Sequence, residues 1–268
     1  QGSIGDCWLV AAVAALLEFP GAIRRAFARC PKAPWQGRDG LYELELHDPR
    51  NAFNATTVSV NDLLPCFRPD GGGGWRPLFA STTALELWPM LLEKAIAKLL
   101  GGYERLNGNL VPMAWAIITG KGGYKVLFPW QEREGLPPRA RPGDFWGEGS
   151  YSDLDLRPTH CEIAQGPDNT LPSERVWELL RLRYHDQQVM VCTFKPRDPR
   201  DARQREAGDG LLAGCGYPLV FVHQHIDARS EQIHRMLRLR SPWGEGSVWT
   251  GRWSSKSPAW KENEELAG

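Results

Sequence analysis

The chain has 268 residues, and its 32 basic and 32 acidic side chains leave no formal net charge. That balance argues against a polyanion or an anionic membrane surface as partner, and no apolar stretch reaches the length of a membrane span. Six cysteines, at 7, 30, 66, 161, 192 and 215, form no Cys-x-x-Cys pair, which argues against a zinc site and fits a reducing, cytoplasmic setting.

In chain order, a polar turn, Gln1-Gly2-Ser3-Ile4-Gly5-Asp6, runs into Cys7-Trp8 and the apolar, alanine-rich Leu9–Leu17. Residues apolar on every side predict a buried helix, closed by Pro20 and Gly21. Cys7 falls at its N-terminus, where unpaired N–H groups and the dipole lower a thiol pKa. The Gln1 amide, brought back beside the Cys7 N–H by a turn flexible at Gly2 and Gly5, would complete a two-donor oxyanion hole. A single cysteine on an apolar helix is equally compatible with simple packing.

Ala22–Cys30 reads as a short basic helix stopped by Pro31. Leu41–Leu46 and Thr56–Val60 alternate as strands, the second leading into Asn61-Asp62-Leu63-Leu64-Pro65. Gly71–Gly74 lacks the Lys-Ser or Lys-Thr of a phosphate loop and reads as a surface turn. Leu87–Leu100 places Trp88, Leu91, Leu92, Ala95, Ile96, Leu99 and Leu100 on one helical face, with Pro89 in the first turn and Gly101-Gly102 at the end. Residues 131–171 mix Pro, Gly, Arg and acids without periodicity and read as an inserted loop. Beyond them come a helix over Val176–Tyr184 and strands over Gln188–Phe194, Tyr217–Ile226 and Met236–Arg240. The tail is rich in tryptophan: Ser241-Pro242-Trp243-Gly244, then Val248-Trp249-Thr250-Gly251-Arg252-Trp253-Ser254, then Ser257-Pro258-Ala259-Trp260.

Three of these stretches resemble signatures of the calpain family of cysteine proteases, in the family's order. Gln1–Trp8 resembles its nucleophile motif Q-G-x-x-G-D-C-W. Leu87–Glu104 resembles L-W-x-x-L-L-E-K-A-x-A-K-L-x-G-x-Y-E, and Ser241–Trp260 resembles the tail N-P-W-G-x-x-E-W-x-G-x-W-S-D-x-S-P-x-W. The resemblance implies an α+β, papain-like core of two subdomains. The helical one, residues 1–130, would carry Cys7; the 131–171 insertion would follow; the antiparallel β subdomain, 172–268, would be truncated at its C-terminus. It further implies a peptide groove between the subdomains, gated by the Trp243 ring, and a chain that is one segment of a larger multidomain protein.

Thiol-protease chemistry needs a thiolate, an imidazole to pair with it and protonate the leaving amine, and a third group to orient the imidazole. The family takes its imidazole from G-H-A-Y and its orienting group from the Asn of N-P-W-G. Here Gly214-Cys215-Gly216-Tyr217 puts Cys215 at the His position, and Ser241 stands at the Asn position. A thiol is a poor substitute for an imidazole: its reference pKa lies above neutrality, and its thiolate would repel that of Cys7. His223 and His225 share a face of one predicted strand, so His223 is the alternative base; His160 and His234 are weaker candidates.

The resemblance also implies calcium, but Ser247-Val248 and Ser255 stand where the family has carboxylates, and Glu245 is displaced, so no metal is expected. Three functions remain open from sequence. The chain is a degenerate, non-catalytic domain that binds protein or peptide segments in the old groove, an endopeptidase using a displaced histidine such as His223, or a structural module closed by Trp243.

Overall fold

A computed structural model describes residues 2–30, 40–82, 86–120, 124–129, 145–151, 162–163, 170–194, 206–208, 210–227, 231–241 and 249–263. The architecture is α+β, with helices concentrated in the N-terminal half and an antiparallel sheet in the C-terminal half. Helix α1 (Cys7–Leu16) buries Trp8, Leu9, Ala11, Ala12, Ala15 and Leu16, as expected of a helix without a polar face. The hairpin of β1 (Leu41–Asp48) and β2 (Asn54–Asn61) pairs Leu44 with Val58 and Tyr42 with Val60, so alternation turns one apolar face inward. A small ribbon, β3 (Cys66–Phe67) with β4 (Arg76–Pro77), follows.

Helix α2 (Trp88–Leu100) carries Pro89 in its first turn and places Leu91, Leu92, Ala95, Ile96 and Leu99 in the core that it forms with the β1–β2 hairpin, a core to which α1 also contributes. Fully burying a side chain such as Leu92 or Ile96 contributes about 1.5–3 kcal/mol each. Polar ties fix its outer side: Lys94 Nζ donates to the carbonyls of Asn61 (3.0 Å) and Leu63 (2.6 Å), and Lys98 Nζ donates to the Ser59 carbonyl (2.7 Å).

Helix α3 (Val111–Thr119) completes this core and packs on α1 and β1. Nothing in the sequence singled it out, because a nine-residue apolar run suits strand and helix alike. The basic helix expected over 22–30 is instead a 3-10 turn, Arg24–Phe27.

The stretch 131–171 also departs from expectation. Its described parts are strands: β6 (Phe145–Tyr151) pairs with β5 (Tyr124–Pro129), β7 (Glu162–Ile163) and β8 (Thr170–Pro172). Strand β6 reads Phe-Trp-Gly-Glu-Gly-Ser-Tyr, without apolar alternation, so backbone pairing made it a strand where the pattern gave no sign.

Helix α4 (Ser173–His185) then lays Trp177 over Leu219 and Val222 of the main sheet. That sheet has the order β13-β12-β9, from β9 (Val191–Thr193), β12 (Gly216–Ile226) and β13 (Ile233–Leu239). A ribbon of β10 (Glu206–Gly208) and β11 (Leu211–Leu212) sits beside its start, and helix α5 (Ala259–Glu262) belongs to the tail.

The halves meet where α1 crosses the start of β12. Gly216 makes this contact close: a Cβ there would lie 2.9 Å from the Ala11 Cβ, 3.1 Å from the Val111 Cγ2 and 3.2 Å from the Val191 Cγ1. Small residues on both sides let helix and strand backbones approach, and that approach delivers the N-terminal end of α1 to the loop preceding β12.

Candidate functional site

Cys7 is the first residue of α1, and it is half-buried. The approach to it is pinned rather than flexible. Ser3 N–H donates to the Leu78 carbonyl (3.0 Å), and Gly108 N–H donates to the Gly5 carbonyl (2.9 Å). A Cβ on Gly2 would collide with the backbone of Phe79, so Gly2 serves close packing and not the turn flexibility expected from sequence. Trp8, next in line, is buried and donates its indole N–H to the Leu106 carbonyl (2.7 Å).

Across from Cys7 lies the end of the β11–β12 connection. The Cys7 thiol packs against the cluster of Leu211, Cys215 and Tyr217, and its Sγ is 3.9 Å from the Gly214 carbonyl oxygen. That loop is held from behind: Gly214 N–H donates to the Phe194 carbonyl (2.9 Å), and Leu212 N–H donates to the Tyr217 hydroxyl (2.7 Å). The Tyr217 ring is buried edge-on against Phe194 at 5.4 Å between centroids. Cys215, itself buried, presents its thiol to that of Cys7.

The consequence for Cys7 is the opposite of the sequence expectation. Its thiol is held well above the ordinary value, first by the hydrogen bond it shares with Cys215, then by burial, then by the charges of Cys215 and Asp6. The backbone N–H of Trp8 acts in the other direction and is outweighed. Among the described residues, the side chains acting on this thiol are Cys215 and Asp6, and neither is an imidazole.

Asp6 is a further buried group of this site. It is fully buried, and neither carboxylate oxygen finds a donor at strict hydrogen-bond geometry among the described residues. The group facing it is Glu93 of α2, also buried, close enough for the two carboxyls to share a proton. Burial first, and then the hydrogen bond and charge of Asp6, push the Glu93 carboxyl up to about 9, so Glu93 is protonated at neutral pH. The Ala80 N–H donates to both of its oxygens at 3.1 Å. The signal was present: Glu93 lies between Leu92 and Ala95 on a helix whose neighbouring positions are buried, and a carboxyl there has to be paired or neutral.

The other candidates separate. Ser241 is half-buried just past β13; Arg240 N–H donates to the Pro218 carbonyl (2.9 Å), so the chain delivers Ser241 beside the first residues of β12. His223 sits eight positions beyond Cys215 on an extended strand, which places it roughly 25 Å away along the strand. There it stacks on Phe221 at 5.6 Å and pairs in register with Met236. His225 faces His234 across the strands at 6.3 Å, and the His234 ring lies edge-on to Trp253 at 5.4 Å. Gln1, His160, Trp243, Glu245, Ser247 and Val248 lie outside the described residues.

The sequence of the chain matches the description "Calpain family cysteine protease" over residues 1–267. The chain belongs to the calpain family of cysteine proteases. It is 28% identical over 265 residues to the calpain-type cysteine protease DEK1 of Arabidopsis thaliana, covering 98% of this chain and 10% of that protein. With calpain-9 of Homo sapiens the identity is 28% over 264 residues, 97% of this chain and 30% of the relative. Calpain-A of Drosophila melanogaster is 26% identical over 263 residues, covering 97% of this chain and 26% of that protein. The chain thus spans a third or less of these relatives. This calpain-family domain holds Cys7 at the N-terminus of a buried helix, at the junction between helical half and sheet. Among the described residues, no helix is long and apolar enough to cross a membrane.

Proposed function

We propose that this calpain-type cysteine protease domain is degenerate, binding extended protein segments in the groove between its halves without cleaving them. The observation that carries this reading is the contact of Cys215 with the Cys7 thiol. Amide hydrolysis needs a thiolate and an acid that protonates the departing nitrogen. In our reading Cys215 occupies the place of that acid and supplies neither requirement: it keeps the Cys7 proton in place, and as a thiol it is a weak proton donor at neutral pH. Ser241, delivered beside the start of β12, takes the orienting position with no imidazole to orient. The competing reading, an endopeptidase that recruits His223, is weakened by the length of β12 between His223 and Cys215.

In the same proposal Gln1 lines the groove beside Cys7 and Trp243 borders it. The partners are protein segments, as the family relationship suggests. Calcium is not required, since Ser247, Val248 and Ser255 replace the carboxylates expected by resemblance; titration calorimetry would then give no heat at micromolar calcium.

The test of the function is peptide hydrolysis by the wild-type chain, Cys7→Ala, His223→Ala and the double variant Cys215→His/Ser241→Asn. The proposal expects no turnover by the wild type and measurable turnover by the double variant. Wild-type turnover lost in both Cys7→Ala and His223→Ala would overturn it in favour of the displaced-histidine enzyme.

A further inference from the structure

The two thiols that meet at this junction come from opposite ends of the chain and from opposite halves of the fold, yet neither is in a disulfide. Their surroundings differ in a way that matters for reactivity. Cys7 is half-buried and open to a small reagent, whereas Cys215 is buried behind it, in a loop held by Phe194 and Tyr217. An accessible cysteine backed by a shielded one has the placement of an attacking and a resolving thiol, although the raised pKa of Cys7 makes it a slow attacker. The other described cysteines are placed elsewhere: Cys30 donates to the Glu43 carbonyl at 3.2 Å, Cys66 is exposed on β3, and Cys192 packs under α4.

We infer that Cys7 and Cys215 form a reversible covalent modification site, a disulfide that clamps α1 to β12 when the chain meets a low-molecular-weight disulfide. The thiolate of Cys7 attacks glutathione disulfide, forming a Cys7–glutathione bond and releasing one glutathione thiolate. Cys215 then gives up its proton to solvent, and its sulfur attacks the Cys7 sulfur. The Cys7–Cys215 bond forms as the second glutathione leaves and takes up a proton. Two protein thiols are oxidised by two electrons, and one glutathione disulfide is reduced to two thiols. A dithiol reagent reverses both steps. Because the Cys7 thiol holds its proton, the exchange is slow at neutral pH and quickens as the pH is raised. The inference goes beyond the functional proposal and does not depend on what the groove binds.

The test equilibrates the full chain with glutathione buffers of increasing oxidised fraction, blocks remaining thiols with N-ethylmaleimide, and maps the non-reduced digest by mass spectrometry. A linked Cys7–Cys215 peptide is expected, lighter than its parts by two hydrogen atoms and lost on adding dithiothreitol. In Cys215→Ser, Cys7 is expected to stop at the glutathione mixed disulfide. The wild-type map needs no folded variant, so the inference stays testable if Cys215→Ser does not fold. Three results would overturn it: Cys7 carrying glutathione while Cys215 is still alkylated in the wild type, Cys7 linked mainly to another cysteine, or a Cys7–Cys215 link formed equally in urea, where no fold brings the thiols together.

Discussion

The two ends of β12 are built differently. At its start, Gly216, Tyr217, Pro218 and Leu219 are all buried, with α1 on one side, β9 beside them and α4 over Leu219. Towards its far end burial loosens: Val222 is still buried under Trp177, but Phe221 and Ile226 are exposed and the other residues from Val220 on are half-buried. The thiols gather at the first end and the imidazoles of His223, His225 and His234 at the second. The length of β12 therefore separates the thiol pair beside its start from the histidines of its far end. The thiol pair belongs to the closely packed end, whereas His223 and His225 are half-buried on the looser one, with His234 buried opposite them on β13.

The contrast breaks most severely at Gly216. Gly216→Val would drive new methyls into Ala11, Val111 and Val191 and push α1 from β12. A destabilisation of about 3 kcal/mol or more is expected, at the upper end of overpacking costs. Urea denaturation measures it, and loss of the Cys7–Cys215 link should accompany it.

The next contrast sets Leu219 against Ile226. Leu219→Ala removes a buried side chain packed on Trp177 and Val222 and should cost about 2–3 kcal/mol. Ile226→Ala, at an exposed position, should change the midpoint by no more than about 0.5 kcal/mol. Equal losses would mean that the two ends pack alike.

Glu93 sharpens the electrostatic side of the comparison. Its carboxyl is protonated in the folded chain up to about pH 9 but ionises near 4.5 once unfolded. Between those values the native state holds a proton that the unfolded state has lost, so stability falls as pH rises, by up to about 1.4 kcal/mol per pH unit. Below the lower value both states are protonated, and the slope vanishes. Glu93→Gln keeps an N–H to offer Asp6 and an oxygen for the Ala80 N–H, and should flatten that slope. Denaturation midpoints of both chains from pH 5 to pH 9 measure it.

A small effect is also expected at His223. His223→Ala removes a ring stacked on Phe221 at the open end and should cost about 0.5–1 kcal/mol. The rate at which Cys7 is alkylated should not change, and a change would tie the two ends together.

Much of this contrast was legible in the sequence, because the features of the buried end are local. The apolar run after Cys7, the single-faced pattern of Leu87–Leu100 and the alternation of Tyr217–Ile226 each specify an element by themselves. What failed to show was set by partners distant in the chain. Strand β6 owes its form to pairing with β5 and β8, and α3 is too short for its period to be distinctive. The Cys7 shift runs against the helix N-terminus because the thiol contact, the burial of Cys7 and the buried Asp6 together outweigh it, and the extent of that burial shows only in the fold. Glu93 and Asp6 likewise meet only in the fold, being far apart in the chain.

Non-catalytic binding at this site requires that Cys215 hold the Cys7 thiol in its protonated form. The direct measurement is the rate of Cys7 alkylation by iodoacetamide against pH, resolved by peptide mapping, in the wild type and in Cys215→Ala. In the wild type the rate should still be climbing beyond the pH at which an ordinary thiol levels off, and the midpoint should drop in Cys215→Ala, because the largest cause of the shift is gone. A wild-type rate already level near neutral pH, and unmoved by Cys215→Ala, would contradict it.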